Sequence, residues 1–179
     1  MNVVNMNQLS KAQILQAAQI LTDCFPLPSG YPSLEAAQKE VEERLIPENT
    51  LLAVVEDDVV IGWGGILAPI YCGNVFELHP LVVRADRRKM GVGRSIVTAL
   101  EAEAKKRGGL TIQLGADDEN DETSLANADL YDNLAEKLKF FNPGVHQAGF
   151  YMKLGYKIIG VMPDANGIGK PDIFLAKKL

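Results

Sequence analysis

The apolar residues of this chain recur at two periods, and the switches between them lay out its elements. In "KAQILQAAQILTDCF" the apolar positions Ile14, Leu15, Ala18, Leu21 and Phe25 fall at helical spacing, with Ser10 placed to cap the start. Pro26 and Pro28 are expected to end that helix, and "PLPSGYPS" reads as a loop. Ser33 opens a second helical pattern in "LEAAQKEVEERL", closed by Pro47. Residues 2–7 make a short first strand. "TLLAVVE" and "VVIGWGGILAPI" are rich in β-branched and aliphatic residues, and Asp57-Asp58 between them marks a hairpin turn. "NVFELHPLVV" is a further strand, in which Glu77 and His79 stand two apart and therefore share a face.

The second half repeats the mixture. "SIVTALEAEAKKRGG" is a helix with Ile96, Val97 and Leu100 on one face, basic residues at its end, and Gly108-Gly109 to stop it. "LTIQLG" is a strand, and "LYDNLAEKLKFF" is expected to be helical. "AGFYMKLGY" is a short helix ended at Gly155, "KIIGVM" a strand, "PDANGIGKPD" a long turn and "IFLAKKL" a last strand. No repeat or linker interrupts the series, so one α/β (α+β) domain is expected.

Composition adds bounds. The chain has 179 residues, 47% hydrophobic and 23% charged, enough apolar material for a buried core. The net charge of −5 argues against a general nucleic-acid binder and leaves room for a cationic partner. No apolar run approaches the ~18 residues of a membrane span. The first residues lack the pattern of a signal peptide, so a cytoplasmic protein without nucleic-acid or membrane partners is the expectation. Cys24 and Cys72 have no metal-type spacing, and no metal is expected. Charge is also segregated. Residues 84–94 hold five basic residues and one acid, whereas residues 117–132 hold seven acids and no Lys or Arg. Two fields of opposite sign suggest one site for an anion and another for a cation.

The anion site centres on "RRKMGVGRS", residues 87–95. A Walker loop needs GxxxxGK[ST], which is not present. A dinucleotide loop needs a third glycine where Ile96 stands, and an acid after the next strand. What remains is Arg88-x-x-Gly91-x-Gly93 between a strand and a long helix. Glycines there let the backbone approach a ligand, and the helix N-terminus favours negative charge, which suits a pyrophosphate.

In "PLVVRADRRKMGVGRSIVTALEAEAKKRG" the chain resembles the acetyl-CoA-binding core of the GCN5-related N-acetyltransferases, whose loop reads [QR]-x-x-G-x-[GA]. "AGFYMKLGYKIIG", about 60 residues on, is similar to the family's FYxKxGF helix and following strand. The likeness spans roughly residues 50–160. It implies the family's fold: a mixed, mostly antiparallel sheet of six to seven strands, splayed between the fourth and fifth and flanked by about four helices. It implies one domain over residues 1–179, with an acidic insertion at about 116–143 on the acceptor side. By analogy alone it implies a homodimer.

Carried over residue by residue, the resemblance assigns acetyl-CoA as cosubstrate. Its pantetheine arm would meet the backbone of Leu81, Val82 and Val83. Its pyrophosphate would meet Arg88, Lys89, Met90, Gly91, Val92, Gly93 and Arg94, chiefly through main-chain N–H groups. Tyr151 would be the acid that protonates the departing thiolate. Where the family often carries a cofactor-touching asparagine, this chain has Gly144, with Asn142 or His146 as candidate replacements. The oxyanion would meet a backbone N–H at Val83 or a neighbour. Glu77 ranks first, and His79 second, as the base or amine binder.

The acidic stretch implies the acceptor. "SLANADLYDN", "GFYMKLGYKIIGV" and "PDANGIGKPDIFLAKK" resemble the aminoglycoside 6′-N-acetyltransferase subgroup, so Asp117, Asp118, Asp121 and Glu122 would contact ammonium groups of a cationic small molecule. The alternatives are a polyamine or a protein or peptide amine as acceptor, or a non-catalytic acetyl-CoA sensor.

Overall fold

Asn2–Asn5 forms β1, and a 3₁₀ turn leads from it to Ser10, which starts α1 (Lys11–Cys24) with a capping box. The Ser10 hydroxyl accepts from Gln13 N at 3.3 Å and the Gln13 side chain accepts from Ser10 N at 2.9 Å, so two orphan donors are satisfied together. Ser33 caps α2 (Leu34–Arg44) in the same manner, accepting from Ala36 N. A computed structural model describes residues 1–25 and 30–179. Pro26, Pro28 and the first half of "PLPSGYPS" lie outside the described residues. The stripe that α1 buries is Ile14, Ala17, Ala18, Ile20 and Leu21. Leu15 and Phe25, expected in it, are 41% and 40% exposed: a 3.6-residue turn carries position 15 away from the face that 14, 18 and 21 share, and Phe25 is the C-cap, already outside helical geometry.

Contacts divide the chain into two compact units, Met1–Ile112 with Leu179, and Gln113–Lys178. In the first, β1 pairs antiparallel with β2 (Thr50–Glu56), β2 with β3 (Val59–Ile66), and β3 with β4 (Val75–Val83). Asp57 and Asp58 make the expected hairpin turn, both at positive φ, 49° and 64°. On one face of β3 stands Trp63, fully buried, its indole N–H donating to Ala17 O at 2.9 Å. That bond fixes α1 to the sheet, and Met6, Val41, Leu51, Ala53 and Val82 complete this core.

The other face of β3 is bare at Gly62 and Gly64. A β-carbon on Gly62 would lie 3.0 Å from Val92 Cγ1, and one on Gly64 would lie 2.9 Å from Pro80 O and 3.2 Å from Ile96 Cγ2. Val92 and Ile96 belong to α3 (Val92–Lys106), which also buries Val97, Leu100 and Ala104. The helix thus sits directly on glycine backbone.

The full strand order is β1-β2-β3-β4-β5-β7-β6, with β5 (Thr111–Asp117), β6 (Lys157–Met162) and β7 (Asp172–Lys178). Strand β5 begins in the first unit and continues into the second. β4 and β5 are joined through α3, the helical crossover that parallel neighbours require. The sheet therefore has seven strands and is mixed, as expected.

In the second unit β6 and β7 pair antiparallel. Its helices are α4 (Leu134–Lys139) and α5 (Ala148–Lys153), which brings the total to five among the described residues rather than about four. The stretch expected to be helical from Leu130 onward forms only α4. Asn133 adopts φ 52°, ψ 35°, a left-handed conformation from which no helix extends backward.

Gly64→Ala should destabilise the protein by about 1–3 kcal/mol through overpacking. Denaturant unfolding with an unchanged slope would read it, and a midpoint equal to wild type would show that α3 does not depend on this gap.

Candidate active site

Between Leu81↔Gly64 and Leu78↔Ile66, β4 moves three residues while β3 moves two. His79 and Pro80 therefore stand opposite the single Gly65, a β-bulge on β4. Proline is tolerated at a bulge because it has no ladder N–H to lose. A β-carbon on Gly65 would lie 3.0 Å from His79 O, so this glycine makes room for the bulge. Glu77 is half-buried and His79 exposed, both at this interrupted part of the strand. Beyond it the ladder resumes. Arg84 N donates to Ile61 O at 3.0 Å, so strand alternation turns the backbone groups of Leu81 and Val83 away from β3. The carbonyl of Val83 accepts from Arg88 Nε at 3.2 Å and from the Cys24 thiol at 3.7 Å. Cys24 thus touches the loop region, and nothing in its sequence context signals this.

Past β4 the chain turns through Lys89, at φ 62°, and Gly91, at φ 88°. Gly91 is the N-cap of α3 and supplies no side-chain bond, unlike Ser10 and Ser33 on the other two long helices. The first bond of α3 runs from Ser95 N to Gly91 O at 3.0 Å, which leaves the amides of Val92, Gly93 and Arg94 as the helix's orphan donors. Such a terminus favours an anion through its N–H groups and its dipole. A β-carbon on Gly91 would meet only Met1 Cε, at 3.8 Å, so the space above this backbone is open. These features fit a pyrophosphate.

The basic cluster is less available than its count suggests. Arg84 forms a two-pronged pair with Asp86 at 3.1 and 2.8 Å, and Arg87 pairs with Glu56 at 3.5 Å. Arg88 bonds to Val83 O and donates to Cys24 Sγ at 3.4 Å. Lys89, Met90 and Arg94 are exposed, and Val92 turns its side chain into the core.

In the second unit Tyr151, on α5, is 5% exposed and lies edge-on to Phe150 and Tyr156, with ring centroids 5.0 and 5.5 Å away. Burial pushes its phenol well above the usual tyrosine range, so it stays protonated throughout the working pH range.

The four acids expected to meet an ammonium group separate into two kinds. Asp117 and Asp121 are exposed and Glu122 half-buried, while Asp118 is fully buried. Asp118 accepts from Glu122 N at 2.8 Å and from Thr123 N at 2.9 Å, so it shapes the loop from inside. Its burial alone would raise its pKa. The bonds from Glu122 and Thr123 outweigh that and hold it below the usual carboxylate value. Gly144 has φ 53°, and a β-carbon there would run into the Glu122 carbonyl oxygen. No asparagine fits at that position in this loop. Asn142 is occupied locally, accepting from Gly144 N at 3.0 Å. His146 turns inward at 4% exposure, with Nε2 2.9 Å from Asp117 O and Nδ1 3.3 Å from Ala148 N. Asp118, Glu122 and His146 bring one potential metal ligand each within 4.8 Å of one another. Both imidazole nitrogens are already engaged, so this set is a poor fit for an ion.

The sequence profile of the acetyltransferase (GNAT) family matches residues 14–132. No curated protein matches the chain. Among solved structures, an aminoglycoside 6′-N-acetyltransferase complexed with coenzyme A is 39% identical, with TM-score 0.92, covering 99% of this chain and 97% of its own. The aminoglycoside 6′-N-acetyltransferase from Enterococcus faecium is 38% identical with TM-score 0.90, at the same coverage of both chains. An aminoglycoside 6′-acetyltransferase type Ii is 35% identical with TM-score 0.76, again covering 99% and 97%. The chain belongs to the GNAT family of acetyltransferases. It has that family's fold, and its class is that of an acetyl-CoA-dependent N-acetyltransferase.

Two outcomes are expected. Gly91→Val should abolish acetyl-CoA binding in titration calorimetry, since it fills the open space and strains a left-handed backbone by about 1–3 kcal/mol. Retained affinity in a folded variant would remove Gly91 from the donor site. For Asp118, the folded pKa lies below the unfolded value, so its stabilisation is present at neutral pH and is lost as pH falls below about 4. Asp118→Asn should therefore lower the melting temperature at pH 7 and flatten its acid-side decline; an unchanged decline would show that other carboxylates set it.

Proposed function

We propose that this chain transfers the acetyl group of acetyl-CoA to a primary amine of a polycationic small molecule, the 6′-amino group of an aminoglycoside. The observation that carries this reading is the full-length likeness to aminoglycoside 6′-N-acetyltransferases, which extends beyond the family core into the acidic segment. Residues 1–179 then act as one catalytic domain, and the segment at about 116–143 serves the acceptor.

Each residue takes a role its chemistry allows. The uncapped start of α3, from Gly91 to Arg94, receives the pyrophosphate through backbone N–H groups. The outward backbone of Leu81 and Val83 receives the pantetheine arm, and an N–H at Val83 polarises the thioester carbonyl. Glu77 accepts the proton that the attacking amine gives up, with His79 as its alternate. Tyr151, held protonated by burial, donates a proton to the departing sulfur. A C–N bond forms, a C–S bond breaks, and one proton moves at each end. Proximity of the two substrates contributes several of the ~7–11 kcal/mol available to well-oriented reactions. Asp117, Asp121 and Glu122 meet the remaining ammonium groups, while Asp118 keeps their loop in shape.

The test is release of CoA with acetyl-CoA and a panel of aminoglycosides, polyamines and lysine peptides. Aminoglycosides bearing a 6′-amino group should turn over with the highest kcat/KM, and Tyr151→Phe should lower kcat at least tenfold with little change in acetyl-CoA affinity. Preference for a polyamine or peptide would replace the acceptor, and binding without turnover of any amine would leave a sensor.

A further inference from the structure

We infer that His146 is a positioning residue that ties the acidic loop to the tyrosine helix, one ring nitrogen holding each. The inference rests on the proposed roles of Tyr151 and of the acidic loop. The geometry lies wholly within the second unit. Ala148 N–H can only donate, so the Nδ1 it meets at 3.3 Å is the acceptor nitrogen of a neutral imidazole. The ring proton then sits on Nε2, which donates to Asp117 O at 2.9 Å.

Each bond does a distinct job. Ala148 is the first residue of α5, and the N-cap Gln147 gives this helix no side-chain bond. The imidazole of His146 satisfies an orphan donor in its place, three residues before Tyr151. On the other side, Asp117 ends β5, and the next residue, Asp118, holds the amides of Glu122 and Thr123. The ring itself cannot swing out freely. It is 4% exposed, and its backbone is locked by His146 N to Pro143 O at 2.9 Å and Gly149 N to His146 O at 3.1 Å. Through one side chain, the end of the acceptor-side strand and the start of the tyrosine helix share a fixed point.

Two near-isosteric substitutions separate the two bonds. In His146→Asn the side-chain oxygen takes the place of Nδ1, and the bond to Asp117 is lost. In His146→Gln the amide nitrogen takes the place of Nε2, and the bond from Ala148 is lost. Amide hydrogen exchange on the full-length chain should then show faster exchange at Ala148 in His146→Gln and wild-type protection there in His146→Asn. With kanamycin A as acceptor, His146→Gln should lower kcat roughly tenfold at constant KM, and His146→Asn should raise KM roughly tenfold at constant kcat, because each disturbs a different partner of the reaction. Unchanged Ala148 protection in His146→Gln, or both variants moving the same kinetic parameter together, would overturn the coupling. The exchange readout needs no acceptor, so it decides the bond that ties His146 to the tyrosine helix even where no amine on the panel is acetylated and the proposed function falls.

Discussion

Helix α3 rests on a strip of β3 that carries no side chains. Any β-carbon at Gly62 or Gly64 would stand about as close to Val92 Cγ1 or Ile96 Cγ2 as carbon atoms tolerate. The helix can therefore sit no closer, and a residue larger than glycine would push it away. Its first turn is the turn that follows Gly91, so the depth of the α3 seat also sets where the orphan amides of Val92 to Arg94 point. Trp63 lies between the two glycines and faces the opposite way, where it anchors α1. One short segment, "GWGGI", thereby fixes a helix on each side of the sheet. The next glycine, Gly65, makes room for the bulge that carries His79.

The three long helices differ in how they begin, and the difference separates structure from function. Serine side chains close α1 and α2, at Ser10 and Ser33. At α3 the cap is a left-handed glycine that gives the donors no side-chain partner. Glycine at an N-cap costs a helix only about a few tenths of a kcal/mol relative to serine, so α3 loses little stability by it. The short helix α5 solves the same problem in a third way, with an imidazole from the preceding turn.

Much of the fold was legible in the sequence because it rests on short-range pattern. Ser10, Ser33, the Asp57-Asp58 turn and the strand carrying Glu77 and His79 all announce themselves within a few residues. The misreadings occur where long-range geometry decides. Leu15 was legible as helical but not as exposed, since it adjoins Ile14 in the pattern and only the packing of the core decides which edge of the apolar stripe is covered. The residues before α4 were grouped with the apolar pattern that follows, yet Asn133 stands in a left-handed conformation that stops the helix there. For the candidate site, the glycine loop and Tyr151 are nominated by motif. The separation of Asp118 from its three acidic neighbours could not, because it depends on which carboxylate meets the amides of Glu122 and Thr123.

Charge counting misleads in the same manner on the opposite side of the molecule's chemistry. Five basic residues around the glycine loop suggest an anion held by side-chain charge. Yet Arg84 and Arg87 are paired with Asp86 and Glu56, and Arg88 is spent on the Val83 carbonyl and Cys24. Exposed pairs of this kind contribute little to stability, typically ~0–1 kcal/mol, so their effect is mainly one of placement. They tie the strand end to the following turn, beside the α3 start whose cap makes no side-chain hydrogen bond. Backbone donors of that sort are fixed before a ligand arrives and need no side-chain entropy to be lost. On the proposed reading, the arginines would serve recognition at one remove, by shaping the loop whose main chain meets the pyrophosphate.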